Sequence, residues 1–359
     1  MNRRDFVRAT LATGVAGVMN PLCLADAPKA LAKTPRKERP KGFLWGHLVH
    51  FGANEAGDWD GTAFDAPEVQ FAKGERQQKP AVKKKFGPEK RHRFDYPTWL
   101  AITERIAARG LNAVVIPVCE GIRWPRHPEL SYETNWEVDR FARELDRLRG
   151  LGLEPIPLLN FSATHDAWLN QYGHMMGTRK YYEVTADVIR DVCEVFGGPR
   201  YVHLGYEEEF GDKYERPDDL WWHDLYHLVG CVEKGGARAW TWTDYPAWRS
   251  PEAFAKKMPR SVLQSAWWYA EMADLVTCPD PRMFIKAGLF ATLEKMGFDQ
   301  IPCGGNCCTD KNMAEIVKLG DAVVRDGRLK GYLSTAWKMC WPENLKAHLA
   351  AVDQLGVEI

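Results

Sequence analysis

A chain of 359 residues that is 45% hydrophobic and 12% aromatic carries enough apolar surface for a large core, which excludes a disordered or collagen-like polymer. Lysine plus arginine (48) balance aspartate plus glutamate (48), so no basic face suited to nucleic acid is expected. Fifteen tryptophans are many; most serve as core filler, but their faces are also what sugar rings stack on.

In chain order, the first element is a leader. Arg3 and Arg4 stand ahead of Phe6, and an apolar run follows from Ala9 to about Leu24, too short to span a bilayer permanently. The segment resembles a twin-arginine export signal, which places the mature protein in the periplasm or outside the cell. Ala25-Asp26-Ala27 and Ala30-Leu31-Ala32 both offer small-x-small cleavage sites. Pro28 makes the first a rigid scissile position, so 1–32 is read as signal and 33–41 as a Pro- and Lys-rich flexible linker. The alternative is a cytoplasmic protein with a basic amphipathic start. No later segment is long and apolar enough to cross a membrane, so no integral membrane segment is expected in the mature chain.

From residue 42 to 359 one pattern recurs, a short apolar run followed by a helical period. The runs fall at 43–51, 112–118, 154–161, 200–207, 238–245, 262–269, 300–306 and 331–337. Amphipathic stretches lie between and after them: 99–106, 136–148, 181–196, 220–232, a shorter 251–258, 281–296, 313–324 and 344–355. Gly110 and Gly150 stand just past helical periods, where a helix stop is expected. Eight strands alternating with eight helices predict a single (β/α)8 barrel domain. The rival doubly wound sheet lacks a G-x-G-x-x-G after its first strand. The connection 52–96 is long enough to sit over the barrel mouth, with Lys83-Lys84-Lys85 as a solvated tip.

In such a barrel the C-terminal strand ends share one rim. Strand two offers Glu120 and strand three Asn160, His165 and Asp166. Strand four offers Glu207, Glu208 and Glu209, and strand five Trp242, Asp244 and Tyr245. Strand six offers Trp267, Trp268, Tyr269 and Glu271, and strand eight Trp337. Carboxylates mixed with His, Tyr and Trp suit glycosidic bond cleavage, which needs a proton donor, a group to stabilise an oxocarbenium-like centre and apolar walls for the sugar. Adjacent carboxylates help, because an ionised one holds the proton on its neighbour. Of the three glutamates, Glu209 is expected to be the solvated one, and His203 a buried, hydrogen-bonded histidine. His47 and His50 point to opposite strand faces and are not expected to pair on a metal.

His203-Leu-Gly-Tyr-Glu-Glu208 resembles the H-[IL]-G-x-D-E signature of the family-20 glycoside hydrolases, the β-N-acetylhexosaminidases, nearest their hexosaminidase D-like branch. Pro155 and Pro157 leading to His165, Trp242-Thr-Asp244, and the run from Gly331 to Trp337 agree with it. The resemblance implies Glu208 as general acid/base, with substrate-assisted retention. It implies Glu207 as the residue orienting a 2-acetamido group, Tyr269 or else Tyr245 as donor to the acetamide oxygen, and Trp242, Trp267 and Trp337 as walls. His165 and His203 would tune Glu208, and Asp244 would join the substrate-binding set. The departure is Glu207 where the family has Asp. One extra methylene shifts the carboxylate enough that the substrate would differ from N-acetylglucosamine or sit deeper.

Three alternatives stay open. One is a retaining glycosidase with Glu208 as acid and Glu271 as nucleophile. Another is a carbohydrate-binding barrel without catalysis. The last is a metal redox protein using Cys303, Cys307, Cys308 and Cys340. The C-x3-C-C spacing of the cysteines is not a zinc-ribbon spacing, and buried thiols or one disulfide are expected instead. No metal or other cofactor is expected; the partner expected is a carbohydrate, as oligosaccharide or glycoconjugate.

Overall fold

The computed structural model describes residues 38–53, 91–209, 216–271, 285–325 and 327–359. The expected export signal, most of the linker and of the connection 52–96, and Cys278 lie outside the described residues. The strands are β1 (Leu44–Leu48), β2 (Ala113–Pro117), β3 (Glu154–Leu158), β4 (Tyr201–His203), β5 (Arg238–Trp242), β6 (Leu263–Ser265), β7 (Cys303–Gly305) and β8 (Gly331–Thr335). All pairings between them are parallel, in the order β6-β5-β4-β3-β2-β1-β8-β7. Parallel bridges Gln264/Gln300 and Trp267/Cys303 join the two ends of this sheet, so the ring closes into the (β/α)8 barrel expected from the sequence.

Each strand is followed by a helix: α1 (Tyr96–Ala108), α2 (Val138–Gly150), α3 (Arg179–Val195), α4 (Asp218–Lys234), α5 (Pro251–Lys257), α6 (Leu289–Met296), α7 (Asn312–Val323) and α8 (Leu345–Gly356). Local chemistry explains their ends. Asp95 caps α1 by accepting from the Thr98 N–H at 2.9 Å, with Pro97 in the first turn. Gly297 closes α6 in the left-handed conformation, φ 84°. Helix α1 buries Trp99, Ile102, Thr103 and Ile106, a single face at helical spacing. It is tied to α2 through Glu144, which accepts from Trp99 Nε1 at 2.6 Å and Tyr96 Oη at 2.9 Å. No described helix is long and apolar enough to cross a membrane.

Strand alternation splits the core into two layers. Leu44, Leu48, Ala113, Val115, Ile156, Leu158, Trp240, Leu263, Ile301 and Leu333 fill the barrel interior. Their neighbours Trp45, Val49, Val114, Ile116, Val118 and Val202 pack outward on the helices. The seam between β3 and β4 is thin for a covalent reason. The residues of β3 with the parity of Leu159, whose N–H reaches His203 on β4, include Pro155 and Pro157, which have no N–H to give. One register pair, Leu158 with His203, remains there, and it lies where the chain turns into the mouth.

Candidate active site

The exit of β4 is a backbone held in conformations that side chains disfavour. Gly205 (φ 68°), Tyr206 (φ 73°) and Glu208 (φ 60°) are all left-handed, and only the first is glycine. Gly205 is required twice over, since a Cβ there would stand 2.3 Å from Asn160 Oδ1. Tyr206 is pinned by its hydroxyl, which donates to the Trp221 carbonyl at 2.6 Å and accepts from Arg216 at 2.7 Å.

This strained turn sends the three glutamates to three separate sets of partners, which is how the like charges coexist. Glu207 is buried and accepts from Asn160 Nδ2 at 3.1 Å. Ser162 Oγ stands 3.2 Å from its other oxygen and 2.5 Å from Asn160 Oδ1, so its single proton serves one of the two, while the N–H groups of Tyr206 and Glu207 donate to it at 3.1 Å. Glu209, expected to be solvated, is instead 2% exposed and paired with the equally buried Arg216 at 2.7 Å, and it accepts the Ala163 N–H at 2.6 Å. The solvent-reaching member is Glu208, whose side chain is 43% exposed. His165 Nε2 meets its carboxyl at 3.2 Å, and its backbone N–H donates to Asp244 Oδ2 at 2.9 Å.

Burial pushes the Asp244 carboxyl up to about 7, against the opposing pull of Lys286 and the Glu208 N–H, with the negative charges of Glu208 and Glu209 adding to the rise. Lys286, from the turn before α6, is itself lowered by burial and held up by the fields of Asp244, Glu208 and Glu207. Sequence reasoning missed both Lys286 and Arg216. Lys286 fell inside the predicted helical stretch 281–296 with nothing in the sequence to mark it. Arg216 sat in a polar linker; its proximity in sequence to three acidic residues was the only signal.

Trp242, Trp267, Trp337 and Tyr269 lie close together at the strand ends. Trp242 and Trp267 are buried with ring centroids 6.0 Å apart; Trp337 lies 5.7 Å from Trp242, and Tyr269 meets Trp337 edge-on at 6.2 Å. Trp337 is another left-handed residue, φ 48°. Three expectations are corrected. His203 does not reach Glu208: its Nδ1 accepts the Gly205 N–H at 3.0 Å, its ring packs 4.4 Å from Trp242, and burial lowers its pKa well below the usual value, keeping it neutral. It supports the strained turn rather than the acid. Tyr245 points away, its hydroxyl accepting from Trp222 Nε1 at 3.2 Å under α4. The Tyr269 hydroxyl lies 3.6 Å from Cys303 Sγ, toward the barrel interior.

Glu271 accepts from Thr309 Oγ1 at 3.0 Å and faces Lys311 at 3.7 Å, so it is engaged by the β7 loop rather than by the β4 carboxylates. The four cysteines do not converge. Cys303 is inside the barrel, Cys307 and Cys308 are exposed with sulfurs 3.4 Å apart, and Cys340 is buried beside the Asp95 carbonyl. Among the described residues no group of three or more His, Cys, Asp or Glu is placed to hold a metal ion. His47 turns outward to His348 Nδ1 at 3.1 Å, while His50 meets the Lys338 carbonyl at 3.2 Å.

These features define a parallel (β/α)8 barrel whose C-terminal mouth, among the described residues, combines carboxylates, Lys286 and a cluster of tryptophans. No family model and no curated protein matches the chain. Among solved structures, its fold is similar to the family-20 β-N-acetylhexosaminidase of Streptomyces coelicolor, with TM-score 0.53 and 13% identity over 74% of this chain. It is similar to the Flavobacterium johnsoniae chitobiase (TM-score 0.54, 15% identity, 74% of this chain and 46% of that one). It is also similar to the Bacteroides fragilis β-N-acetylhexosaminidase (TM-score 0.51, 13% identity, 87% and 66%). The chain spans 62% of the length of the Streptomyces coelicolor enzyme. At these identities the likeness is one of fold.

Proposed function

We propose that this protein is a β-N-acetylhexosaminidase-like glycoside hydrolase of the family-20 kind, with Glu208 as general acid/base. One observation carries the reading. The strained exit of β4 presents the Glu208 carboxyl at the barrel mouth, between His165 and the Asp244 anchor of its own N–H, while Glu209 is sealed against Arg216 and Glu207 is held by Asn160 and Ser162. A proton donor for a leaving oxygen has to meet both substrate and water, which suits the one glutamate of three that reaches solvent. Glu207, oriented by Asn160 and Ser162, is assigned the substrate-orienting role. The neighbours of similar fold are hexosaminidases, and the strand-four motif points to the same chemistry. Substrate assistance is favoured over an enzymic nucleophile because Glu271 is already engaged by Thr309 and Lys311. The chain is further proposed to be exported through the twin-arginine pathway and to act on oligosaccharides or glycoconjugates outside the cytoplasm.

The test is a panel of aryl glycosides, with and without a 2-acetamido group, against wild type and Glu208→Gln. General-acid assistance is worth roughly 10²- to 10⁴-fold, so kcat on 4-nitrophenyl glycosides should fall by that much. The loss should shrink with 2,4-dinitrophenyl leaving groups, which depart without protonation. Unchanged activity in Glu208→Gln sinks the acid assignment; turnover only of sugars lacking the acetamide sinks substrate assistance.

A further inference from the structure

Among the described residues Lys286 is the lysine that faces the β4 and β5 carboxylates, and it is placed there by an aromatic ring rather than by an ion pair. Its ammonium lies 4.2 Å from the centroid of Trp267 and 5.9 Å from that of Trp248. It stands within electrostatic reach of Asp244, Glu208 and Glu207. Yet among the described residues no carboxylate approaches within ion-pair distance of it and no acceptor hydrogen-bonds it. A cation serving only to neutralise would close on one of those carboxylates, because the gain rises steeply as the distance shortens in a site of reduced dielectric. The ammonium instead keeps its three N–H donors for something else.

The chemistry of the rest of the mouth says what that is. Glu208, and Glu207 in its assigned role, are acceptors suited to the hydroxyl protons of a sugar, while the Trp267 face suits its C–H surface. A pyranose also carries lone pairs, and those need a donor. We propose that Lys286 is a substrate-contacting residue, donating hydrogen bonds to an oxygen of an uncharged sugar ring held against Trp267. An anionic sugar is disfavoured because the Lys286 ammonium lies in the negative fields of Glu208, Glu207 and Asp244. This inference rests on the glycosidase reading above and extends it to the recognition of the sugar.

Lys286→Met retains an apolar stem over Trp267 and removes the donors; Lys286→Arg restores a donor. The probes are the 4-nitrophenyl glycoside best turned over by wild type and its monodeoxy analogues, with binding followed separately by tryptophan fluorescence in wild type and in Glu208→Gln. A hydrogen bond from a charged donor predicts that Lys286→Met weakens KM and Kd for the parent probe by roughly ten- to a hundredfold with kcat little changed. The loss should vanish for the deoxy analogue that lacks the partner oxygen, and Lys286→Arg should recover part of it. Equal losses across all the deoxy analogues, or a loss confined to kcat with a shifted pH profile, would show a charge-compensating role and overturn the proposal. So would tighter binding of a uronic-acid glycoside that depends on Lys286. If glycosides bind in a Lys286-dependent way but are never hydrolysed, the hydrolase reading falls and the contact stands; a chain that binds none of the probes loses both.

Discussion

Asp244 shows how burial at a rim turns a common residue into a titrating one. Its carboxyl is held near 7 chiefly by desolvation, whereas an exposed aspartate in the unfolded chain titrates at about 3.9. The folded state therefore keeps a proton that the unfolded state releases, and wild type should lose stability as pH rises from about 4 through 7. In Asp244→Asn the side-chain oxygen can still accept the Glu208 N–H, but the ionisation is gone. Chemical denaturation at pH 5 and pH 8 should show wild type falling relative to the variant at the higher pH. The inflection near pH 7 expected in the wild-type kcat/KM profile should be missing from the variant. An identical profile in both would detach Asp244 from Glu208. None of this was readable from Trp242-Thr-Asp244 alone, since a strand-end aspartate looks the same whether it is solvated or sealed.

Among the elements, the turn after β4 decides most. It is fastened by Arg216, whose guanidinium bonds Glu209, Asp224 of α4 at 2.9 Å and the Tyr206 hydroxyl, and by Arg249, which donates to the Glu209 and Arg216 carbonyls at 3.0 Å. Arg216, Glu209 and Asp224 are all essentially inaccessible to solvent. Removing the arginine leaves two buried carboxylates without their cation, a loss of about 3–5 kcal/mol. Arg216→Met should lower stability by that order in urea or thermal unfolding, and the triple change with Glu209→Gln and Asp224→Asn should be milder because it leaves no unpaired buried charge. If the single change costs under about 1 kcal/mol, the network does not hold the turn. The motif placed Glu207 and Glu208 correctly at the strand end. It could not say which glutamate faces water, because that depends on Arg216, Asn160 and Ser162 arriving from other parts of the chain.

At the scale of the molecule, ring closure is what brings the site together. Glu208, Asp244, Trp267 and Trp337 belong to four different strand exits, and only a closed parallel barrel sets them around one mouth. The strands flanking the closing seam, β6 and β7, are three residues each, whereas β1 and β8 pair over four positions. The proposed export is also tested on the whole chain. Exchange of Arg3 and Arg4 for lysine in the full-length protein is expected to retain it in the cytoplasm, judged by fractionation and by the mass of the mature N-terminus. Unimpaired processing after the exchange would remove the twin-arginine assignment.

The sequence by itself determined the barrel, since the alternation of apolar runs and helical periods is local and survives without knowledge of any contact. It also determined which side chains stand near the strand ends, because strand order and register follow from the same alternation. Tertiary structure alone decided that Glu209 is buried and Glu208 is not, that His203 braces a turn, that Tyr245 faces α4, and that Lys286 joins the mouth. Each of those depends on partners distant in the chain, and the burial and charge they supply are absent from any window of sequence.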